Sequence, residues 1–200
     1  EANCMVKSAS PQAAETRSAI VAAARRLFAE RGFAPTTVAE IAAAAGVTKG
    51  ALFHYFGSKE ELFVEIWKQL QLDMDAEARV AAIAALDPAD PYKAFLVGCR
   101  VYLDWASRPD YLRIVLIDGP SVLGLARWHE LEFELGRASL VAATKYIAAQ
   151  GHFPKKLAVP AAMMLQASIN AAAFALGDGK NGISRGDYLD TFERMLRGLR

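Results

Sequence analysis

Two pairs of residues at capping-box spacing, Thr37 with Glu40 and Ser58 with Glu61, constrain this chain more than any other feature. In such a box a hydroxyl accepts the amide three residues on while the carboxylate reaches back, so two orphan amides of a helix start are satisfied together. Between the boxes, Gly46 can take the left-handed backbone that ends one helix, and Thr48 can cap the next. Residues 37–63, TVAEIAAAAGVTKGALFHYFGSKEELF, are therefore expected to form a short helix ending at Gly46, a second from Thr48 to near Phe56, and the start of a longer one running to about residue 85.

The flanks read the same way. Ile20, Ala24, Leu27 and Phe28 recur at helical spacing with Arg25 and Arg26 to the other side, and Gly32 stops a helix over about 14–31. The longer helix carries a stripe of Leu62, Ile66, Leu70 and Met74 beside Phe63 and Trp67. Beyond Pro88 and Pro91, Pro and Gly punctuation predicts five more helices, over 91–107, 109–117, 121–150, 158–177 and 185–199. Strand signals are nearly absent, so the fold class is all-α: a three-helix N-terminal domain over 14–60, then a larger helical domain over 61–200. Tyr188, Phe192, Met195 and Leu199 form a narrow stripe on the last helix that is expected to meet a partner surface.

Residues 157–177 are uncharged over a length close to the ~20 that cross a bilayer. Alanine dominates them, however, with Pro160, Gln166, Ser168 and Asn170 included, so a helix buried on most sides is expected and no membrane partner. The net charge of +1 excludes charge-driven coating of nucleic acid or membrane, although the first 60 residues carry seven basic against five acidic side chains. Cys4 and Cys99 are too far apart for a disulfide framework or a metal clamp, which fits a reducing cytoplasm. No secretory pattern opens the chain, and residues 1–4, ahead of the plausible initiator Met5, are set aside.

Two short helices joined at Gly46 have helix-turn-helix spacing, the second helix being the one that enters a DNA major groove. Ala42 keeps the crossing point small, and Ile41, Ala45, Val47 and Leu52 are expected to fill the core beneath. Thr36, Thr37, Thr48 and Lys49 are candidates for phosphate contact, as hydroxyls or a cation at helix starts. Gly50 and Ala51 are small enough to bring backbone against base edges, His54 and Tyr55 can donate to phosphate or bases, and Lys59 offers a further phosphate contact. Capping and solvation alone would also account for each of these residue types.

From about Thr16 to Phe63 the chain resembles the DNA-binding domain of the TetR family of bacterial transcriptional regulators, through a helix ending in Gly-Phe followed by TTVAEIAAAAGVTKGALFHYFGSKEEL. The family usually has tyrosine where this chain has Phe53, so a phenol contact is not expected there while an aromatic packing role is. The resemblance implies a homodimeric repressor that binds a palindromic operator in double-stranded DNA. It also implies a variable helical domain that takes a small-molecule effector and dimerises through its last two long helices.

The effector is expected to be partly apolar, since the candidates for touching it are Trp67, Tyr102, Trp105, Tyr111, Met163 and Phe174, each of which could equally be plain core. Gln166 and Asn170, polar on an apolar helix, need partners that a ligand, an interhelical contact or a dimer contact could supply. No cofactor or metal is implied: Ala126 stands where a Glu-x-x-His pair with His129 would need its Glu, despite Glu130 and Glu132 nearby. Residues 177–182 lack the spacing of a phosphate loop and are expected to be a helix-ending turn. Nothing suggests catalysis, as neither a nucleophile elbow nor a dinucleotide fingerprint is present. The readings that stay open are a helical ligand-binding or scaffold protein without DNA binding, and an activator on the same fold.

Overall fold

The computed structural model describes residues 11–135, 137–178 and 182–199; residues 1–4 with Cys4, Met5, the centre of the 177–182 run and the Glu132 side chain lie outside the described residues. The described chain is all helix, with no strand. In order the helices are α1 (Pro11–Arg31), α2 (Val38–Ala44), α3 (Lys49–Tyr55), α4 (Lys59–Ala84), α5 (Tyr92–Ala106), α6 (Gly119–Leu123), α7 (Leu125–Leu135), α8 (Arg137–Ala149), α9 (Ala158–Asp178) and α10 (Arg185–Arg197). A π-helical stretch, Tyr111–Asp118, stands where a helix over 109–117 is expected. The chain divides into two compact units after Ile66, further along than the expected boundary at residue 60.

In the first unit Ile20, Leu27, Phe28, Ile41, Leu52, Leu62 and Phe63 are buried, each contributing about 1.5–3 kcal/mol by leaving water. Phe28, Phe33 and Phe63 make a triangle of tilted and edge-on rings with centroids 5.1 to 5.6 Å apart. Ala42 is buried as expected, whereas Ala45 and Val47 are only half-buried because they belong to the turn that closes α2.

In the second unit the amphipathic face of α5 buries Phe95, Cys99, Leu103 and Trp105. The Val115 carbonyl in the π-helical stretch accepts both the Trp67 and Trp128 indoles, at 3.4 and 3.3 Å. Gly119 makes room for that convergence, since a Cβ there would stand 2.9 Å from Trp67 Nε1 and 3.2 Å from Trp128 Nε1. The helix expected over 121–150 is several elements, because Gly124 at φ 75° ends α6 in a left-handed conformation before α7 begins. Helix α9 is buried along one face only, which corrects the expectation of burial on most sides: Val159, Met163, Met164 and Phe174 are exposed. One helical segment, Lys155–Gly177, is long and apolar enough by length and composition to cross a membrane.

Helix α10 starts in a capping box in which Ser184 and Asp187 serve each other's amides, and these bonds hold the Asp187 carboxyl below its ordinary pKa. Arg185 reaches Asp104 and Ser107, and Arg197 bonds Asp90 at 3.1 Å while lying over the Tyr92 ring, so both ends of α10 are tied to α5 and its approach. The expected stripe is split accordingly. Phe192 turns inward with Leu196, leaving Met195 exposed and Tyr188 and Leu199 half-buried, because α5 already occupies one side of the helix.

Candidate functional site

The outward face of α3 is built by the caps of α2 and α3. Thr37 in extended backbone accepts the Glu40 amide at 3.3 Å, and the Glu40 carboxylate accepts the Thr37 amide at 2.9 Å and its hydroxyl at 2.7 Å. Those bonds, backbone first, hold the Glu40 carboxyl below its ordinary pKa, with Arg31 at 3.0 Å adding a smaller pull. At the other end of α2 the Val47 amide bonds the Ala42 carbonyl at 3.0 Å and the Gly46 amide bonds Ala43 at 3.2 Å, a Schellman closure that needs the positive φ of 68° at Gly46.

Thr48 then caps α3 by accepting the Ala51 amide at 3.1 Å, which leaves its hydroxyl proton available outward. Leu52 is fully buried and fixes which side of α3 faces in. Thr48, Lys49, Gly50 and His54 are exposed in consequence, with Ala51 and Tyr55 half-buried beside them. The His54 and Tyr55 rings meet edge-on at 5.5 Å. Five donors or small residues thus share one seven-residue helix whose N-terminus is open, an arrangement suited to an anionic, grooved ligand.

Four expectations for this unit are corrected. Thr36 is 1% exposed and its hydroxyl donates to Gly32 at 2.7 Å, so it closes the end of α1 instead of facing outward. Lys59 sends its ammonium to the carbonyls of Phe33 and Thr36, at 3.0 and 2.9 Å, and over the Phe33 ring at 4.1 Å. Bonded in this way to the 33–36 turn, Lys59 is a clasp, and Thr37, though exposed, has its hydroxyl proton in the capping box. Phe53 was expected to pack, yet it is 49% exposed: it lies one turn from Lys49 on the outward face, while Leu52 and Phe56 fill the core.

The second unit holds a cavity of about 300 Å³, walled by α4, α5, α8 and α9. Tyr102, Gln166 and Asn170 are on its wall, and the Tyr102 hydroxyl donates to Asn170 Oδ1 at 2.6 Å. The other candidates fall elsewhere. Trp67 is buried against Val115, Trp105 donates its indole to Glu77 at 2.8 Å beneath the Arg108 guanidinium, and Tyr111 stands behind the wall with its hydroxyl on Gln71 Oε1. Met163 and Phe174 are 47% and 40% exposed, because they lie more than a quarter-turn round α9 from its buried line through Ala162, Leu165 and Ile169. Sequence reasoning missed Gln71, Asp75, Arg79 and Gly98; the signal available was a polar residue, Gln71, beside the apolar stripe of α4. Cys99 also lines the cavity, its thiol pushed up to about 12 by burial, so it stays protonated and chemically quiet at neutral pH.

Residues 20–66 match the family model described as bacterial regulatory proteins, tetR family, and residues 92–199 match the tetracyclin repressor-like C-terminal domain. The chain is 45% identical over 64 residues to the HTH-type transcriptional regulator AcrR of Shigella flexneri, covering 32% of this chain and 30% of that one. It is 42% identical over 95 residues to the HTH-type transcriptional regulator TtgR of Pseudomonas putida, covering 48% and 42%. These matches thus span less than half the length of either relative. A solved structure of a TetR-family transcriptional regulator from Pectobacterium atrosepticum superposes with a TM-score of 0.78 at 31% identity, covering 96% of this chain and 97% of that one.

Proposed function

The chain belongs to the TetR family of bacterial regulatory proteins, and from that premise we propose that it is a sequence-specific, DNA-binding transcriptional repressor that works as a homodimer in the cytoplasm. The observation that carries this reading is the outward face of α3: Thr48, Lys49, Gly50, His54 and Tyr55 on one capped helix, whose polar groups have, among the described residues, no other work than the Thr48 cap and one ring contact. In the major groove, Thr48 and Lys49 hold the phosphate, Gly50 and Ala51 admit base edges, and His54 and Tyr55 donate. One such head contacts few base pairs, so two on a palindrome supply the specificity. The exposed apolar residues of α9, Met163, Met164 and Phe174, are the material for the dimer seam, joined by Met195 of α10.

Control comes from the cavity. Helix α4 begins at Lys59, the clasp of the reading unit, and from Gln71 onward its side chains wall the cavity. An effector that favours the conformation with misplaced heads weakens operator binding, and by linkage DNA weakens effector binding to the same degree. A gel-shift titration against the DNA flanking its own coding region tests the reading. Wild type is expected to shift that DNA with a steep salt dependence, and the Lys49→Glu/Tyr55→Ala double variant to lose at least tenfold in affinity. Equal binding by both proteins, or no binding by either, removes it.

A further inference from the structure

The cavity's closed end carries one feature that a plain apolar core would not. Gln71 is 3% exposed on the cavity wall, and its amide oxygen takes the Tyr111 hydroxyl, so its amide N–H groups are what it can offer a ligand. Amide N–H groups on a buried wall are stabilised by an accepting partner, and an acceptor on a molecule in the cavity would supply one. The surroundings limit what that can be. Asp75, one turn along α4, also lines the cavity and is held by Ser139 at 2.6 Å, so a second anion beside it is repelled. Arg79, one turn further, is exposed at the open end, and its charge opposes a cation drawn towards Asp75. Neither sign of ligand charge has a dedicated partner beside Gln71.

Shape supplies the rest. From Gln71 to Ile83 one face of α4 walls the cavity over about 18 Å. Helix α5 returns along it with Gly98 against Ala78 and Ala82, where an added Cβ would stand 3.9 Å from that of Ala82. Small side chains on both helices leave a channel, closed at Gln71 and open by the exposed Ile83.

We infer that the effector is an elongated, uncharged, largely apolar molecule with a hydrogen-bond-accepting oxygen at one end, seated with that oxygen on the Gln71 amide and its apolar body in the channel past Gly98. This rests on the regulator reading above and narrows it to a ligand class. The test is calorimetric titration of the full chain with three ten-carbon probes that differ only in the head: 2-decanone, decanoate and decylammonium. The ketone is expected to bind at least tenfold more tightly than either ion. Gln71→Leu is expected to reduce ketone affinity about tenfold, Gly98→Leu to abolish binding of all three, and Arg79→Ala to leave the ketone unaffected. Equal or tighter binding of either ion, indifference of the ketone to Gln71→Leu, or failure of all three probes to bind overturns the inference. If Gln71→Leu does not fold, as judged by helical circular dichroism, the ranking of the three heads on wild type decides alone. DNA binding by the unliganded chain uses none of these probes, so the regulator reading and the ligand class can fail separately.

Discussion

The two units obey different rules. In the first, nearly every backbone feature has a local cause within four residues: Thr37 with Glu40, Thr48 with Ala51, Gly46 at its positive φ, Glu61 reaching back to the Gly57 amide. In the second, the defining contacts join residues far apart in sequence, such as Trp67 with Val115, Tyr111 with Gln71 and Arg185 with Asp104. A DNA reader must hold one shape so that its few exposed donors stay in register, and local caps do that independently of what lies beyond. A ligand-binding body needs a cavity, and a cavity is formed by what distant helices fail to fill.

The largest effect that would sharpen this contrast is expected at Gly119. Gly119→Ala forces a Cβ into the paired indoles of Trp67 and Trp128 and should cost about 2–3 kcal/mol of unfolding free energy. All three tryptophans, Trp67, Trp105 and Trp128, lie after Ile66, so urea unfolding followed by tryptophan fluorescence reports the second unit. An unchanged midpoint would mean that the indole pair yields freely, and that this unit is as tolerant as the first. Next comes a pair of lysines with opposite duties. Lys59→Met should cost about 1 kcal/mol of stability and leave the salt slope of DNA binding unchanged, whereas Lys49→Met should leave stability unchanged and lower that slope by about one. Circular dichroism melts and salt-series gel shifts separate the two, and exchanged phenotypes would break the distinction between clasp and contact.

The smallest expected effect concerns Glu40. Its folded carboxyl sits below the ordinary value, so its stabilisation is present above the unfolded pKa near 4.5 and disappears as the pH falls through the folded one. The melting difference between wild type and Glu40→Gln should therefore be present at pH 7 and shrink as the pH falls below 4.5. A difference that persists in acid would show that the capping box works through shape and not charge.

Much of the first unit was legible because capping and left-handed turns depend on near neighbours. The Thr37 box, the Gly46 turn and the Thr48 cap all follow from spacing. What was not legible there was direction: whether Lys59 turns out to solvent or in to the Phe33 carbonyl, and whether Phe53 packs or stands free, depends on what the neighbouring helix leaves uncovered. In the second unit the helices could be counted only approximately. The break at Gly124 and the π-helical stretch beside Val115 come from tertiary demands that helical periodicity does not encode. Of the residues expected near a ligand, the aromatic ones Trp67, Trp105 and Tyr111 became structural because each buried polar tip found a protein partner, while the amides at 166 and 170 reached the cavity wall.

Gly46 has a consequence of its own. Nothing lies within 4 Å of where its Cβ would be, so the turn forbids larger residues through handedness and not through lack of space. A D-alanine introduced there by chemical synthesis would fit both the backbone and the space, while L-alanine would carry a strain of about 1–2 kcal/mol. Mirror symmetry, rather than volume, guards the joint between α2 and α3. The outward side chains of α3 can therefore be exchanged without touching the hinge that presents them, while that hinge keeps its preference for glycine.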